Sequence, residues 1–123
     1  MRVFIADDSA IVRERLRAML SELPEIEIVG EAQDPVEATS SIRALKPDAV
    51  ILDIRMPGGS GIDVLQNIKQ DKPAPMVIIL TNYPYPQYQK KCRAAGADFF
   101  FDKSTEFDKI TEVFKQFIRD SHI

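Results

Sequence analysis

Apolar residues along this chain alternate between two rhythms. Short unbroken runs end at polar or charged residues, and each is followed by a longer stretch whose apolar positions recur at helical spacing. The first rhythm marks strands buried on both faces of a sheet; the second marks amphipathic helices. Arg2–Ala6 is the first strand and runs into Asp7-Asp8. Ser9 offers an N-cap for a helix with Ile11, Val12, Leu16, Met19 and Leu20 on its inner stripe, closed by Pro24. Ile26, Ile28 and Val29 make a second strand that Gly30 and Glu31 end. Asp34-Pro35 places a cap and a proline at the start of a helix reaching about Leu45. Ala49–Leu52 is an all-apolar strand that runs straight into Asp53, and Pro57-Gly58-Gly59-Ser60-Gly61 loops back behind it.

The second half repeats the scheme. Gly61 to about Gln70 predicts a helix with Ile62, Val64, Leu65 and Ile68 inward. Met76–Leu80 is another apolar strand, ending at Thr81-Asn82. Tyr83-Pro84-Tyr85-Pro86 delays or starts a helix that reaches Ala95, with Gly96 at its C-terminal end. Asp98–Asp102 is a fifth strand ending at Lys103. Ser104 is the predicted cap of a last helix with Phe107, Ile110, Val113, Phe114, Phe117 and Ile118 inward. Strands alternating with helices in this way predict an α/β fold: a flavodoxin-like, doubly wound, five-stranded parallel sheet of order 2-1-3-4-5 with five helices. The polar residues ending four of the strands, Asp7, Asp8, Asp53, Thr81 and Lys103, then meet at one sheet edge. Open α/β sheets place ligands and chemistry at that edge.

A length of 123 residues allows one domain over 1–123, and 45% hydrophobic residues exclude a disordered chain. The net charge of -3 argues against direct nucleic-acid binding, which calls for a basic stripe. A single cysteine, Cys92, forms no internal disulfide and fits a reducing cytoplasm, where its thiol is read as inert and partly buried. The first apolar run is too short for a leader or a membrane span, so no membrane partner is expected.

Carboxylates gathered in one shallow cleft raise each other's pKa unless a cation joins them. Oxygen-only ligands with room for water suit Mg²⁺ better than Ca²⁺. An anion on the far side of the metal completes the balance, and aspartate is itself a nucleophile toward phosphorus. In such a site Mg²⁺ held by Asp8 and Asp53 takes one phosphoryl oxygen, Lys103 a second and the Thr81 hydroxyl a third. Asp7 acts through a bridging water.

At these residues the chain resembles the receiver domains of two-component response regulators. The matching elements are Asp7-Asp8 after the first strand, Asp53 with Met56-Pro57-Gly58, Thr81 after the fourth strand, and Gly96-Ala97 through Lys103. The resemblance implies that Asp53 is the phosphoacceptor, with Asp7 and Asp8 as the acidic pair for Mg²⁺ and Lys103 as the phosphate partner. It also implies Thr81 as switch hydroxyl, Phe100 as switch aromatic, and the carbonyl of Arg55 as a further metal ligand. The partners implied are a sensor histidine kinase or phosphotransfer protein upstream, and a downstream protein or a missing output domain. Two positions depart from the family pattern. Ser104 stands where proline often follows the lysine, so no cis bond is expected there, and Phe100 lacks the hydroxyl of the usual tyrosine. The segments around Asp53 and Lys103 look closer to the subgroup that often carries a helix-turn-helix output. Met1 reads as a natural start, and the end of the chain fits a stand-alone regulator or an excised receiver.

On this reading the chain is not an enzyme turning over a separate substrate. The rival readings are an aspartate-nucleophile phosphatase of haloacid dehalogenase type, disfavoured by Arg55 where such enzymes carry a second acid, and a flavin-binding module, disfavoured by the acidic first loop. Tyr83, Tyr85 and Tyr88 are a partner patch or simply a packed helix start, and Tyr83 is expected to slow attack of water on the phosphoryl group. In Phe99-Phe100-Phe101 alternate rings face opposite sides of the sheet. Lys90, Lys91 and Arg93 read as a solvated helix face, and His122 as neither ligand nor acceptor.

Overall fold

A computed structural model of the chain describes residues 1–121, so His122 lies outside the described residues. Five strands build one parallel sheet: β1 (Arg2–Ala6), β2 (Glu27–Ala32), β3 (Ala49–Leu52), β4 (Met76–Thr81) and β5 (Phe99–Asp102). Their spatial order is β2-β1-β3-β4-β5, the flavodoxin-like order expected from the alternation. Helices α1 (Ala10–Leu20), α2 (Pro35–Leu45), α3 (Gly61–Ile68), α4 (Pro86–Ala94) and α5 (Lys109–Ser121) cover it. A two-residue antiparallel ladder, Arg55–Met56 with Gly59–Ser60, folds the loop after Asp53 into a tight hairpin.

The unbroken apolar runs serve two cores at once, because successive side chains of a strand point to opposite faces. Phe4, Val50, Leu52, Val77 and Ile79 face α2, α3 and α4, where Ala38, Ile42, Leu65, Ile68 and Cys92 close the layer. Val3, Ile5, Ile51, Ile78 and Leu80 face α1 and α5 and meet Leu16, Leu20, Ile110 and Phe114. Phe100 packs on the first layer, Phe99 and Phe101 on the second, with the latter two rings stacked 5.9 Å apart.

Short-range signals set the helix starts. Ser9 Oγ accepts from the Val12 N–H at 3.2 Å, and Asp34 Oδ1 from the Glu37 N–H at 2.9 Å. Several expectations need correction. Ile11 is 80% exposed; it sits five positions before Leu16, roughly 140° around the helix from the buried stripe. Gly30 and Glu31 do not end β2, which continues to Ala32. Gly30 lies opposite Phe4, and a Cβ there would stand 2.9 Å from both the Phe4 ring and Leu45, so its bareness is a packing requirement. Helix α3 stops at Ile68 rather than near Gln70, and Cys92 is wholly buried.

The last helix starts at Lys109, not after Ser104. The Ser104 hydroxyl and N–H both donate to Asp102 Oδ1, at 2.7 and 2.9 Å, and Glu106 Oε1 accepts the Asp102 N–H at 3.1 Å. A turn closed by these two acids occupies the segment and leaves Ser104 no part in capping. Phe107 is still buried, though ahead of the helix, whereas Phe117 is 39% exposed. The Lys103–Ser104 peptide is trans, as expected from the missing proline. Among the described residues no helix is long and apolar enough to cross a membrane.

Candidate functional site

Parallel pairing brings the strand-end residues into one row. The Asp53 N–H donates to the Ala6 carbonyl at 2.9 Å, the Asp7 N–H to Ala32 at 3.0 Å, and the Lys103 N–H to Thr81 at 2.9 Å. Each residue just past its strand is thus still held by the sheet. The loop behind Asp53 is fastened by Gly61, whose N–H donates to the Ile54 carbonyl at 2.6 Å. A Cβ at Gly61 would lie 1.8 Å from the Asp53 carbonyl oxygen, so only glycine allows this approach.

Carboxylate oxygens of Asp7, Asp8 and Asp53 lie within 4.8 Å of one another. Lys103 reaches across the row: its Nζ is 2.7 Å from Asp7 Oδ2 and 2.9 Å from Asp53 Oδ2. These three side chains are only 8%, 3% and 6% exposed, whereas Asp8 opens to solvent. The other oxygens are also engaged. Asp7 Oδ1 accepts the Ser9 N–H at 2.8 Å, and Asp53 Oδ1 accepts the Ile54 N–H at 2.7 Å.

One ammonium shared by two buried carboxylates leaves negative charge over. Burial pushes the Asp53 carboxyl above its ordinary value; Asp7 adds to this, while Lys103 and the Ile54 N–H oppose it. Burial alone would depress the Lys103 ammonium, but its bonds to Asp7 and Asp53 prevail and hold it above the ordinary lysine value. A donor set of three carboxylates, one open to water, fits a hard divalent cation such as Mg²⁺.

The remaining expected residues fall into two places. Thr81 is fully buried at the end of β4 beside the Lys103 backbone, and its Oγ1 accepts the Tyr83 N–H at 3.0 Å. Phe100 is half-buried against the layer that includes Tyr88, Ala95 and Ala97. The Arg55 side chain turns to the start of α4. Its guanidinium carbon stands 3.7 Å over the Tyr83 ring, and it donates to the Tyr88 hydroxyl at 3.3 Å. Tyr85 lies between Tyr83 and Tyr88, with centroids 6.2 and 5.8 Å away, so the tyrosines and Arg55 form one surface cluster. The Cys92 thiol, expected to be partly buried, is wholly buried, and burial pushes it up to about 11.

Sequence reasoning passed over Arg13 and Glu31. Arg13 Nη1 donates to the Asp7 carbonyl at 2.7 Å and its Nε to Glu31 Oε1 at 3.1 Å, while Arg17 pairs with the other Glu31 oxygen. A cation five residues after the acidic pair, inside a capped helix, was the available signal.

The family model described as response regulator receiver domain matches residues 3–115. The protein-glutamate methylesterase/protein-glutamine glutaminase 1 of Caulobacter vibrioides is 48% identical over 81 residues, which are 66% of this chain and 24% of that protein. The response regulator domain of Thermotoga maritima CheB superposes with a TM-score of 0.83 at 30% identity, covering 98% of this chain and 94% of that one. A Borrelia burgdorferi CheY, solved in a complex with CheX, BeF3 and Mg²⁺, superposes with a TM-score of 0.78 at 29% identity, covering 93% and 89%. The chain spans between 21% and 34% of the length of the curated relatives it matches. Those relatives carry the name of an enzyme, matched over the receiver portion only. The expectation that the chain is not an enzyme turning over a separate substrate is therefore corrected: relatives that it matches are named as enzymes, although the match falls on their receiver portion.

Proposed function

This chain belongs to the response regulator receiver domain family, and from that premise we propose that it is a phosphoacceptor switch with Asp53 as the acceptor. The observation that carries the proposal is Lys103 Nζ bridging Asp7 and Asp53 at the edge where Asp8 opens to water. The donor is the phosphohistidine of a sensor kinase or phosphotransfer protein. An Asp53 carboxylate oxygen attacks phosphorus, the N–P bond breaks, and the imidazole leaves with the electron pair. No general base is required, because a carboxylate is already a nucleophile at neutral pH.

Asp8 and Asp53, with the Arg55 carbonyl and with Asp7 through water, are the groups that would hold Mg²⁺, which supplies charge neutralisation at the transferred phosphoryl group. Lys103 exchanges its carboxylate partners for a phosphoryl oxygen and stays within reach of Asp7. The Thr81 hydroxyl turns from the Tyr83 N–H toward the phosphoryl group, and Phe100 moves into the space released beside α4. Moving such a switch from mostly off to mostly on takes about 5.5 kcal/mol of differential interaction. Charge-assisted hydrogen bonds from Lys103 and Thr81, at roughly 1.5–3 kcal/mol each, together with the metal contact, reach that size. The output we assign is the one the relatives are named for, methylesterase action on protein glutamate.

Intact-protein mass after incubation with acetyl phosphate and Mg²⁺ tests the acceptor. The wild type gains one phosphoryl group and Asp53→Asn gains none. Stoichiometric label on Asp53→Asn refutes the assignment.

A further inference from the structure

We propose that Arg13, clamped by Glu31, is a positioning residue that aims Asp8 and thereby sets the affinity of the acidic pocket for Mg²⁺; this rests on the reading of that pocket as a Mg²⁺ site. The Asp7 carbonyl belongs to the peptide that leads into Asp8. Arg13 Nη1 holds that oxygen at 2.7 Å, a charge-assisted contact from a side chain only 14% exposed. The same guanidinium is fixed from behind by Glu31 Oε1 at 3.1 Å, and Glu31 is held in turn by Arg17.

The two acids of the pair are therefore anchored by different means. The Asp7 carboxylate is locked without Arg13, by the Ser9 N–H on Oδ1 and Lys103 on Oδ2. The exposed Asp8 depends on the orientation of the peptide before it, and Arg13 sets that orientation. The planar guanidinium donates in these two directions from two nitrogens held in a fixed fork, a geometry that the compact ammonium of a lysine does not reproduce. Groups that orient a metal's ligands typically change affinity by about 10–100-fold when removed.

The sign of the effect separates positioning from simple charge. Removing a cation near a Mg²⁺ site tightens binding if only long-range electrostatics act. Losing the aim of Asp8 weakens it. Arg17→Gln is the control, since it removes a neighbouring cation from the same Glu31 without touching Asp7.

Isothermal titration of the full chain with MgCl2, and electron paramagnetic resonance of bound Mn²⁺, read the affinity without any phosphorylation step. Arg13→Gln is expected to raise the Mg²⁺ Kd about tenfold or more, Glu31→Ala several-fold, and Arg17→Gln less than twofold. Label uptake from acetyl phosphate by Arg13→Gln at saturating Mg²⁺ should then return close to the wild-type rate, a split that a general loss of structure would not give. Circular dichroism melts without metal identify a variant that fails to fold, and Arg13→Lys, which keeps the charge but not the planar fork, is then titrated in its place and is expected to fall between wild type and Arg13→Gln. Unchanged or tighter Mg²⁺ binding in Arg13→Gln, or in Arg13→Lys where that stands in for it, overturns the inference. If the wild type binds no Mg²⁺, or binds it independently of Asp8 in an Asp8→Asn control, the reading of the pocket itself is overturned with it.

Discussion

Lys103→Met is the sharpest probe of how the acidic edge is held together. Methionine keeps the length and most of the stem of lysine but removes the ammonium that stands 2.7 Å from Asp7 and 2.9 Å from Asp53. Both carboxylates are then buried without their shared cation. Deleting one partner of a buried ion pair costs about 3–5 kcal/mol; the opening at Asp8 admits water and puts the expected loss near the lower figure. A loss of about 3 kcal/mol lowers Tm by roughly 10–15 °C in a domain of this size. Urea unfolding followed by far-ultraviolet circular dichroism and tyrosine fluorescence measures it, first with the metal chelated and then with Mg²⁺. A ligand at 100 times its Kd stabilises by about 2.7 kcal/mol, and the variant, with more negative charge to neutralise, should gain more from a given Mg²⁺ concentration than the wild type does. Adding Asp53→Asn to Lys103→Met should recover over half of the loss. A metal-free loss below about 1 kcal/mol, together with no larger response to Mg²⁺, refutes the idea that Lys103 is the counterion of this pocket.

Gly61→Ala should cost about 3 kcal/mol and abolish phosphoryl uptake, since its methyl group would collide with the Asp53 carbonyl; thermal melts and intact mass read the two effects. Asp53→Asn should be more stable than the wild type at neutral pH without metal, because folding raises the Asp53 carboxyl. A raised acid contributes stability below its unfolded value and loses it as pH rises through the folded one, so the gap should close on acidification; urea titrations across the acid range check the sign. Tyr83→Ala, which strips the ring from under the Arg55 guanidinium, should speed loss of the phosphoryl label several-fold, as followed by the decay of phosphoprotein mass.

Features fixed by neighbouring residues could be read from the chain directly. The caps at Ser9 and Asp34 and the burial of Ala49–Leu52 follow from local chemistry and from runs with no polar break. The meeting of Asp7, Asp8, Asp53 and Lys103 followed from one topological rule, that parallel strands end on the same side. Features decided between distant segments were hidden. Ser104 looked like a cap until Asp102 took its hydroxyl. Ile11 fitted a helical stripe by spacing but lies on its outer flank. Gly61 read as the end of a glycine loop and the start of a helix, whereas its role is a contact with a carbonyl eight residues earlier. The grip of Arg13 on the Asp7 carbonyl depends on Glu31 arriving from another strand.

The position of β5 at the edge of the sheet has a consequence for handling and for life in the cell. Its ladder pairs with β4 alone, with only the Asp102 peptide groups engaged elsewhere, by Glu106, and its sequence is three phenylalanines and an aspartate, all half-buried. Such a ribbon is a template for pairing with a second chain, and natural proteins guard it with charges at its ends. Here Asp98 stands before it and Asp102-Lys103 closes it. The Lys103 ammonium is turned away into the acidic pocket, its side chain only 8% exposed, so the guard falls to Asp98 and Asp102, and substitutions that neutralise these two acids strip it from an aromatic edge. Self-association at high concentration should rise in those variants, in step with the charge removed.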